Sequence, residues 1–183
     1  MDSQASSDAP HRRVLRLALI GEALAIVGIA VVVAYECYLW TDSAAMLKYL
    51  LRGVPDLAAV PTGDLVVAAW FADLAPVLLF LFAMGNVVLL FRRLRSAHVF
   101  HPDVPLLLTR IGRLACASAV AGVAARTIVA LALTSGNPPG QRQLVVSISS
   151  GDITSVITGL LLLVFAYVMQ EALRIDEENR GFL

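Results

Sequence analysis

The chain has 183 residues, 14 basic and 14 acidic side chains, and 58% hydrophobic residues against only 15% charged ones. Its mean hydropathy of +0.79 excludes an ordinary soluble globular domain, in which about a quarter of the residues are charged. A formal net charge of zero favours neither direct nucleic-acid binding nor a strongly acidic partner. This composition is typical of an integral membrane protein whose main partner is the lipid bilayer.

Four apolar runs are long enough, as helices, to cross the ~30 Å hydrocarbon layer of a bilayer. They are predicted at about 17–40, 65–91, 111–133 and 153–173. The expected fold is therefore an all-α, four-helix transmembrane bundle. The predicted organisation is a disordered tail at 1–13, one membrane domain at 14–174 and a second tail at 175–183.

The first loop, 41–64, contains a predicted short helix. Residues 41–43 (Thr, Asp, Ser) can cap it, and Gly53 and Pro55 stop it. Its apolar residues are Met46, Leu47, Leu50 and Leu51. We expect this helix to lie along the membrane surface.

The distribution of positive charge predicts the orientation. Ten lysines and arginines lie in the N-terminal segment, the loop at 92–105 with the start of the third span, and the C-terminal segment, whereas three lie in the two other loops. Positive charge concentrates on the cytoplasmic side of membrane proteins. Both termini are therefore predicted to be cytoplasmic, in an inner membrane.

The third span carries an arginine, Arg126, in an otherwise apolar run. An intramembrane arginine costs several kcal/mol or more unless it faces the bundle interior and meets polar partners. Gly122, Ala119, Ser118 and Ala115 precede it at helical spacing and would let other helices approach closely. The third span is therefore predicted to be the inner helix.

Helical rise places three polar residues of the other spans, Asp73, Glu36 and Thr158, at a depth similar to that of Arg126. We expect these four residues to form an intramembrane polar cluster. Two interpretations stay open. The cluster can be a buried ion pair that only fixes helix order, or its surplus carboxylate can titrate or bind a cation, as in pumps and transporters.

No signature of an enzyme or of a metal site is present. The chain has no CxxC, HExxH or glycine-rich phosphate loop, and no adjacent nucleophile and base. The three histidines, His11, His98 and His101, lie outside the spans. We therefore expect a non-enzymatic protein without a cofactor or metal, and keep a haem or quinone module only as a weaker alternative.

Two motifs resemble a known family. The segment 99–103 (VFHPD) followed by 108–112 (LTRIG), and the later segment 175–179 (IDEEN), are similar to motifs of the small bacterial membrane proteins catalogued as domain of unknown function 2975. Val99, Met169 and Ala172 depart from that pattern. The resemblance implies four spans in an inner membrane, no assigned activity, and a small helix-turn-helix regulator encoded nearby.

The leading functional hypothesis is a regulatory or sensory membrane protein that engages a soluble partner through its cytoplasmic face. The residues of that expected interaction surface are Phe100, Pro102, Arg110, Gly112, Glu178 and Asn179. The resemblance makes a helix-turn-helix regulator one candidate partner. The alternative is a small transporter, or proton- or cation-coupled carrier, that uses Asp73, Glu36 and Arg126. Such a carrier is expected to be a homo-oligomer, because four helices enclose little volume.

Overall fold

The computed structural model describes residues 3–53, 61–96, 103–138 and 144–180, with side chains at 15–52, 61–95, 103–138 and 144–178. Its helices are α1 (Ser3–Thr41), α2 (Ser43–Leu50), α3 (Gly63–Ser96), α4 (Asp103–Thr134) and α5 (Ser150–Arg180), with a 3₁₀ turn at Leu51–Gly53. The described residues contain no strand. Four of the helices are long and apolar enough to cross a membrane. The predicted all-α, four-span fold is confirmed, and it is that of a multi-pass membrane protein.

The long helices run up and down, so α1 begins on the same side of the bundle as α5 ends. We call this the terminal side, and the side that carries α2 and the α4–α5 connection the distal side. In the described part, the helices pack in the order α1, α3, α4, α5, and contact between α1 and α5 is marginal at most. The bundle is therefore a row rather than a closed ring.

As predicted, α4 is the inner helix. It is the most enclosed of the four, with 28% of its most apolar stretch buried against 11–17% for the other three. The backbones of α4 and α5 approach each other closely. A Cβ added to Gly112 would lie 2.7 Å from the carbonyl oxygen of Gly159, and one added to Gly159 would lie 2.6 Å from Sγ of Cys116. Two glycines are needed here because the two backbones nearly touch.

The placement of Gly112 corrects one prediction. We expected it in an exposed interaction surface, but it is buried between α4 and α5. Its lack of a side chain serves close helix packing, and it has no surface left for a soluble partner.

The distal side holds the main hydrophobic core. Asp42 caps α2 by accepting backbone N–H bonds from Ala44 and Ala45 at 3.0 and 3.1 Å. The core joins α2 to the distal ends of α3 and α4; its buried members are Met46, Leu50, Ala69, Val129 and Leu133. The predicted helix is confirmed, and its apolar side packs on the bundle. Its position along the membrane surface stays a prediction.

Both predicted tails are largely helical. α1 begins at Ser3 and α5 continues to Arg180, so the disorder expected over residues 1–13 does not describe residues 3–13. Extending an existing helix by one residue fixes few additional dihedral angles, whereas starting a helix is costly. In α5, Arg174 also pairs with Glu171 at 2.7 Å and with Glu178 at 3.6 Å.

Gly112→Ala should destabilise the protein, because its methyl group would meet the backbone oxygen of Gly159 and push α4 away from α5. We expect a loss of about 1–3 kcal/mol, measured as a lower thermal or SDS-induced unfolding midpoint in detergent. Gly85→Ala is the matched control, since nothing lies within 4 Å of a Cβ at that glycine. Equal stability of the two variants would contradict the close contact.

Candidate functional site

Arg126 reaches the beginning of α5. Its Nη2 group forms an ion pair with the carboxylate of Asp152. Its Nε and Nη2 groups also donate to the carbonyl oxygen of Ser147, at 3.3 and 3.2 Å. Both side chains are mostly enclosed, with 33% of the Arg126 side chain and 13% of the Asp152 side chain exposed. The guanidinium is therefore held by one carboxylate and one backbone carbonyl.

Asp152 is itself held by a capping box at the start of α5. Its carboxylate accepts from the backbone N–H of Ser149 at 2.7 Å and from the Ser149 hydroxyl at 2.8 Å. In return, the Asp152 N–H donates to Ser149 Oγ at 3.2 Å. These reciprocal bonds satisfy free N–H groups at the helix start and fix the carboxylate that faces Arg126.

Gly122 makes the room for this ion pair. A Cβ at that position would lie 3.3 Å from Nη1 of Arg126 and 3.4 Å from Oδ1 of Asp152. The guanidinium thus lies over the helix turn that precedes it, as helical side chains do. Gly122 was predicted as a small residue that lets other helices approach closely; in the structure it leaves room for the Arg126–Asp152 pair.

Arg126 and Asp152 line a cavity of about 330 Å³ on the distal half of the bundle. Asp73 of α3 and Tyr49 of α2 add polar groups to its wall, while Val32 and Phe80 add apolar ones. We call Arg126, Asp152, Asp73 and Tyr49 the distal polar site. It combines two carboxyl groups, one guanidinium group and one phenol in a space large enough for a small molecule.

Tyr49 interacts directly with Asp73. Burial raises the pKa of the Tyr49 phenol above its ordinary value, and the negative charge and hydrogen bond of Asp73 raise it further. The phenol therefore stays protonated at neutral pH and remains a hydrogen-bond donor to the carboxylate. Glu36 lies near this pair and interacts with Asp73 and with Trp70.

Three of the four residues predicted to form a polar cluster are close together. Arg126 and Asp73 line one cavity, and Glu36 interacts with Asp73. Thr158 is exposed and does not line the cavity, so its inclusion is wrong. The prediction considered the depth of Thr158 but not the direction of its side chain around the helix. The neighbouring Gly159 faces α4, and one residue along a helix turns the side chain by about 100°.

Sequence reasoning missed Asp152, the direct partner of Arg126. The fourth span is predicted to begin at about residue 153, so Asp152 lies just outside the predicted spans and outside the predicted polar cluster. The signal was present as Ser149-Ser150-Gly151-Asp152 ahead of an apolar run, which is the spacing of a capping box.

A second set of charges lies on the terminal side. Glu22 of α1 accepts from Arg92 Nε at 2.8 Å and from Arg95 Nη1 at 2.6 Å, which ties α1 to α3. Arg93 and Asp103 lie 3.5 Å apart and tie α3 to α4.

The distal polar site and the charges of the terminal side are separated by a distance close to one hydrocarbon thickness. Asp152 and Glu171 are 19 residues apart in α5, and Asp73 and Arg92 are 19 residues apart in α3; either interval is about 28 Å of helix.

The remaining residues of the predicted interaction surface have mixed outcomes. Arg110 and Glu178 are exposed, which is compatible with a surface role. Phe100 and Pro102 lie outside the described residues, as does the side chain of Asn179. Where side chains are described, no three His, Cys, Asp or Glu groups are close enough to hold a metal ion.

The family model described as Protein of unknown function (DUF2975) matches residues 42–180. The chain belongs to this family. The DUF2975 match begins at the capping residue of α2, so it includes Asp73, Arg126 and Asp152 but not Glu36 on α1. No curated protein and no solved structure matches the chain.

The Arg126–Asp152 pair should show strong energetic coupling. In a double-mutant cycle on unfolding stability, we expect Arg126→Gln and Asp152→Asn to couple by about 1 kcal/mol or more, because each single change strands an enclosed charge. Coupling between Arg126→Gln and Asp73→Asn should be weaker.

The control cycle combines Arg126→Gln with Glu171→Gln, which lies at the other end of α5 and should be additive. If Asp73 couples more strongly than Asp152 does, Arg126 has a different principal partner from the one described.

Proposed function

We propose that this protein is a non-enzymatic regulatory or sensory protein of a bacterial inner membrane, which engages a soluble protein on the cytoplasmic side through its terminal side. The observation that carries this proposal is the end of α5. Residues 171–178 continue the helix beyond the apolar part, and all of them except Leu173 are exposed. Such a helix presents side chains on nearly every face to a partner in the aqueous phase.

The chemistry of this segment fits a protein partner. It carries four acids, one arginine and an exposed isoleucine, Ile175, which is 49% accessible. An apolar side chain among charges is typical of an interface centre with a polar rim. A small helix-turn-helix regulator is the candidate that the family resemblance suggests.

The helices α4 and α5 connect the two ends of this proposed sensor. They carry the two halves of the Arg126–Asp152 pair on the distal side and are packed together through Gly112 and Gly159. A change at the distal polar site would therefore displace α5 relative to α4, and the end of α5 would move with it. This is the coupling that a sensor requires.

Photo-crosslinking tests the partner surface. A photoreactive amino acid at Ile175, in the full chain in its membrane, should crosslink one specific soluble protein. The same amino acid at Val120, which is exposed on the apolar part of α4, should yield lipid adducts only. The soluble adduct should decrease at least severalfold with Glu177→Lys plus Glu178→Lys. Identical products from both positions would refute a protein-binding surface.

The distal polar site favours a second candidate, a small proton- or cation-coupled carrier. Arg126 forms an ion pair with Asp152 and donates to the carbonyl oxygen of Ser147. Asp73 and the nearby Glu36 are therefore acids beyond the one that pairs with Arg126. Carboxylates in such positions serve proton and cation pathways in transporters. We propose that such a carrier acts as a homo-oligomer, since the cavity of one chain does not pass through the bundle.

Flux measurements in proteoliposomes test the carrier. With a pH-sensitive dye inside, protein-dependent proton flux should fall by at least tenfold in Asp73→Asn with Glu36→Gln. Glu171→Gln, which removes an exposed acid on the terminal side, should retain the wild-type rate. Flux that persists unchanged in the double variant would eliminate these carboxylates as its pathway.

A further inference from the structure

The outward face of α4 carries a continuous stripe of exposed residues. Exposed side chains recur every three or four residues on the side of α4 that faces away from α3 and α5, with Val120 at its edge toward α5. The stripe consists of Leu106, Arg110, Arg113, Ala117, Val120, Ala124, Ile128 and Leu131. Six of its eight members are apolar, as expected for a helix face that meets lipid. The two arginines are the exception and need an explanation.

Arg110 and Arg113 differ from the other arginines near them. Arg92 and Arg95 pair with Glu22, and Arg174 pairs with Glu171 and Glu178. Among the side chains that the structure describes, neither Arg110 nor Arg113 has a carboxylate within ion-pair distance. Within the described part of the chain, two guanidinium groups on a lipid-facing stripe therefore lack a counter-charge.

Their depth indicates where the counter-charge comes from. They lie seven and ten residues after Asp103, at which α4 begins, or about 10 and 15 Å along the helix. Helical side chains lean toward the N-terminus of their helix, which for α4 is the terminal side. The long side chains therefore extend toward the headgroup region, while their Cα atoms stay beside the acyl chains.

We propose that Arg110 and Arg113 form a binding site for the headgroup of an anionic phospholipid. Residues three apart on a helix have Cβ atoms about 5–6 Å apart, so both guanidinium groups can contact one phosphodiester. Arginine suits this ligand because its planar donors match phosphate oxygens in pairs. The acyl chains lie along the small residues of the stripe, Ala117 and Ala124.

The two neighbouring positive charges favour an anionic lipid over a zwitterionic one. Both carry a phosphate, but the ammonium group of phosphatidylcholine would be placed beside two unpaired positive charges, whereas phosphatidylglycerol brings only its negative charge. Each arginine near an anionic headgroup contributes a similar favourable binding free energy, so two arginines contribute nearly twice as much as one. This site does not depend on the function proposed above, which rests on the exposed end of α5, and it assigns Arg110 to lipid instead of to the expected protein-interaction surface.

Native mass spectrometry of the delipidated full chain, titrated with equal amounts of phosphatidylglycerol and phosphatidylcholine, tests the site. The wild-type protein should retain phosphatidylglycerol preferentially. Arg110→Gln with Arg113→Gln should weaken its retention by on the order of tenfold or more, and each single change should have an intermediate effect. Both residues are exposed, so the variants should keep the wild-type melting temperature.

Arg16→Gln is the matched control, because Arg16 is also exposed on the terminal side but lies on α1. Its loss should leave the preference for phosphatidylglycerol intact. The proposal is overturned if the double variant retains the preference, or if Arg16→Gln weakens it as much as the double variant does, since general surface charge would then be the cause. Release of the lipid by millimolar inorganic phosphate would instead assign the arginines to free phosphate.

Discussion

A guanidinium group on an apolar helix must be surrounded by oxygen atoms, and the distal half of this protein is arranged to supply them. The start of α5 brings a carboxylate and a backbone carbonyl to Arg126, and the capping box at Ser149 holds that carboxylate in place. Gly122 leaves the space in which the pair meets. The position at which α5 begins is therefore tied to one side chain of α4.

Ionic contacts at the terminal end and aromatic contacts at the distal end fix the register of α1 against α3. Apolar packing gives little preference for one register over another when lipid is as apolar as the side chains. Glu22 fixes α1 against α3 on the terminal side, and the rings of Trp40 and Trp70, with centroids 4.8 Å apart, do so on the distal side. Between these two sets of contacts, α3 and α5 carry no charged residue over about the thickness of a bilayer.

The sequence was sufficient to predict the spans, the inner position of α4 and the matching level of Arg126 and Asp73, because apolar length and helical rise are local properties. It was not sufficient to predict direction around a helix, which depends on where the neighbours lie. The predictions for Thr158 and Gly112 were wrong for this reason: Thr158 does not line the cavity, and Gly112 faces α5 instead of a surface. Asp152 was missed because α5 begins in a stretch of serines and a glycine that lies outside the predicted spans. The capping-box spacing of Ser149 and Asp152 nevertheless indicates a helix start.

The row arrangement of the helices has a consequence for biogenesis. Every long helix packs on the one that precedes or follows it among the spans, so assembly can proceed as each segment leaves the ribosome. Arg126 is synthesised 26 residues before Asp152, its ion-pair partner, but after Asp73. Until α5 has been synthesised, Asp73 is the one acid of the distal polar site that the chain contains.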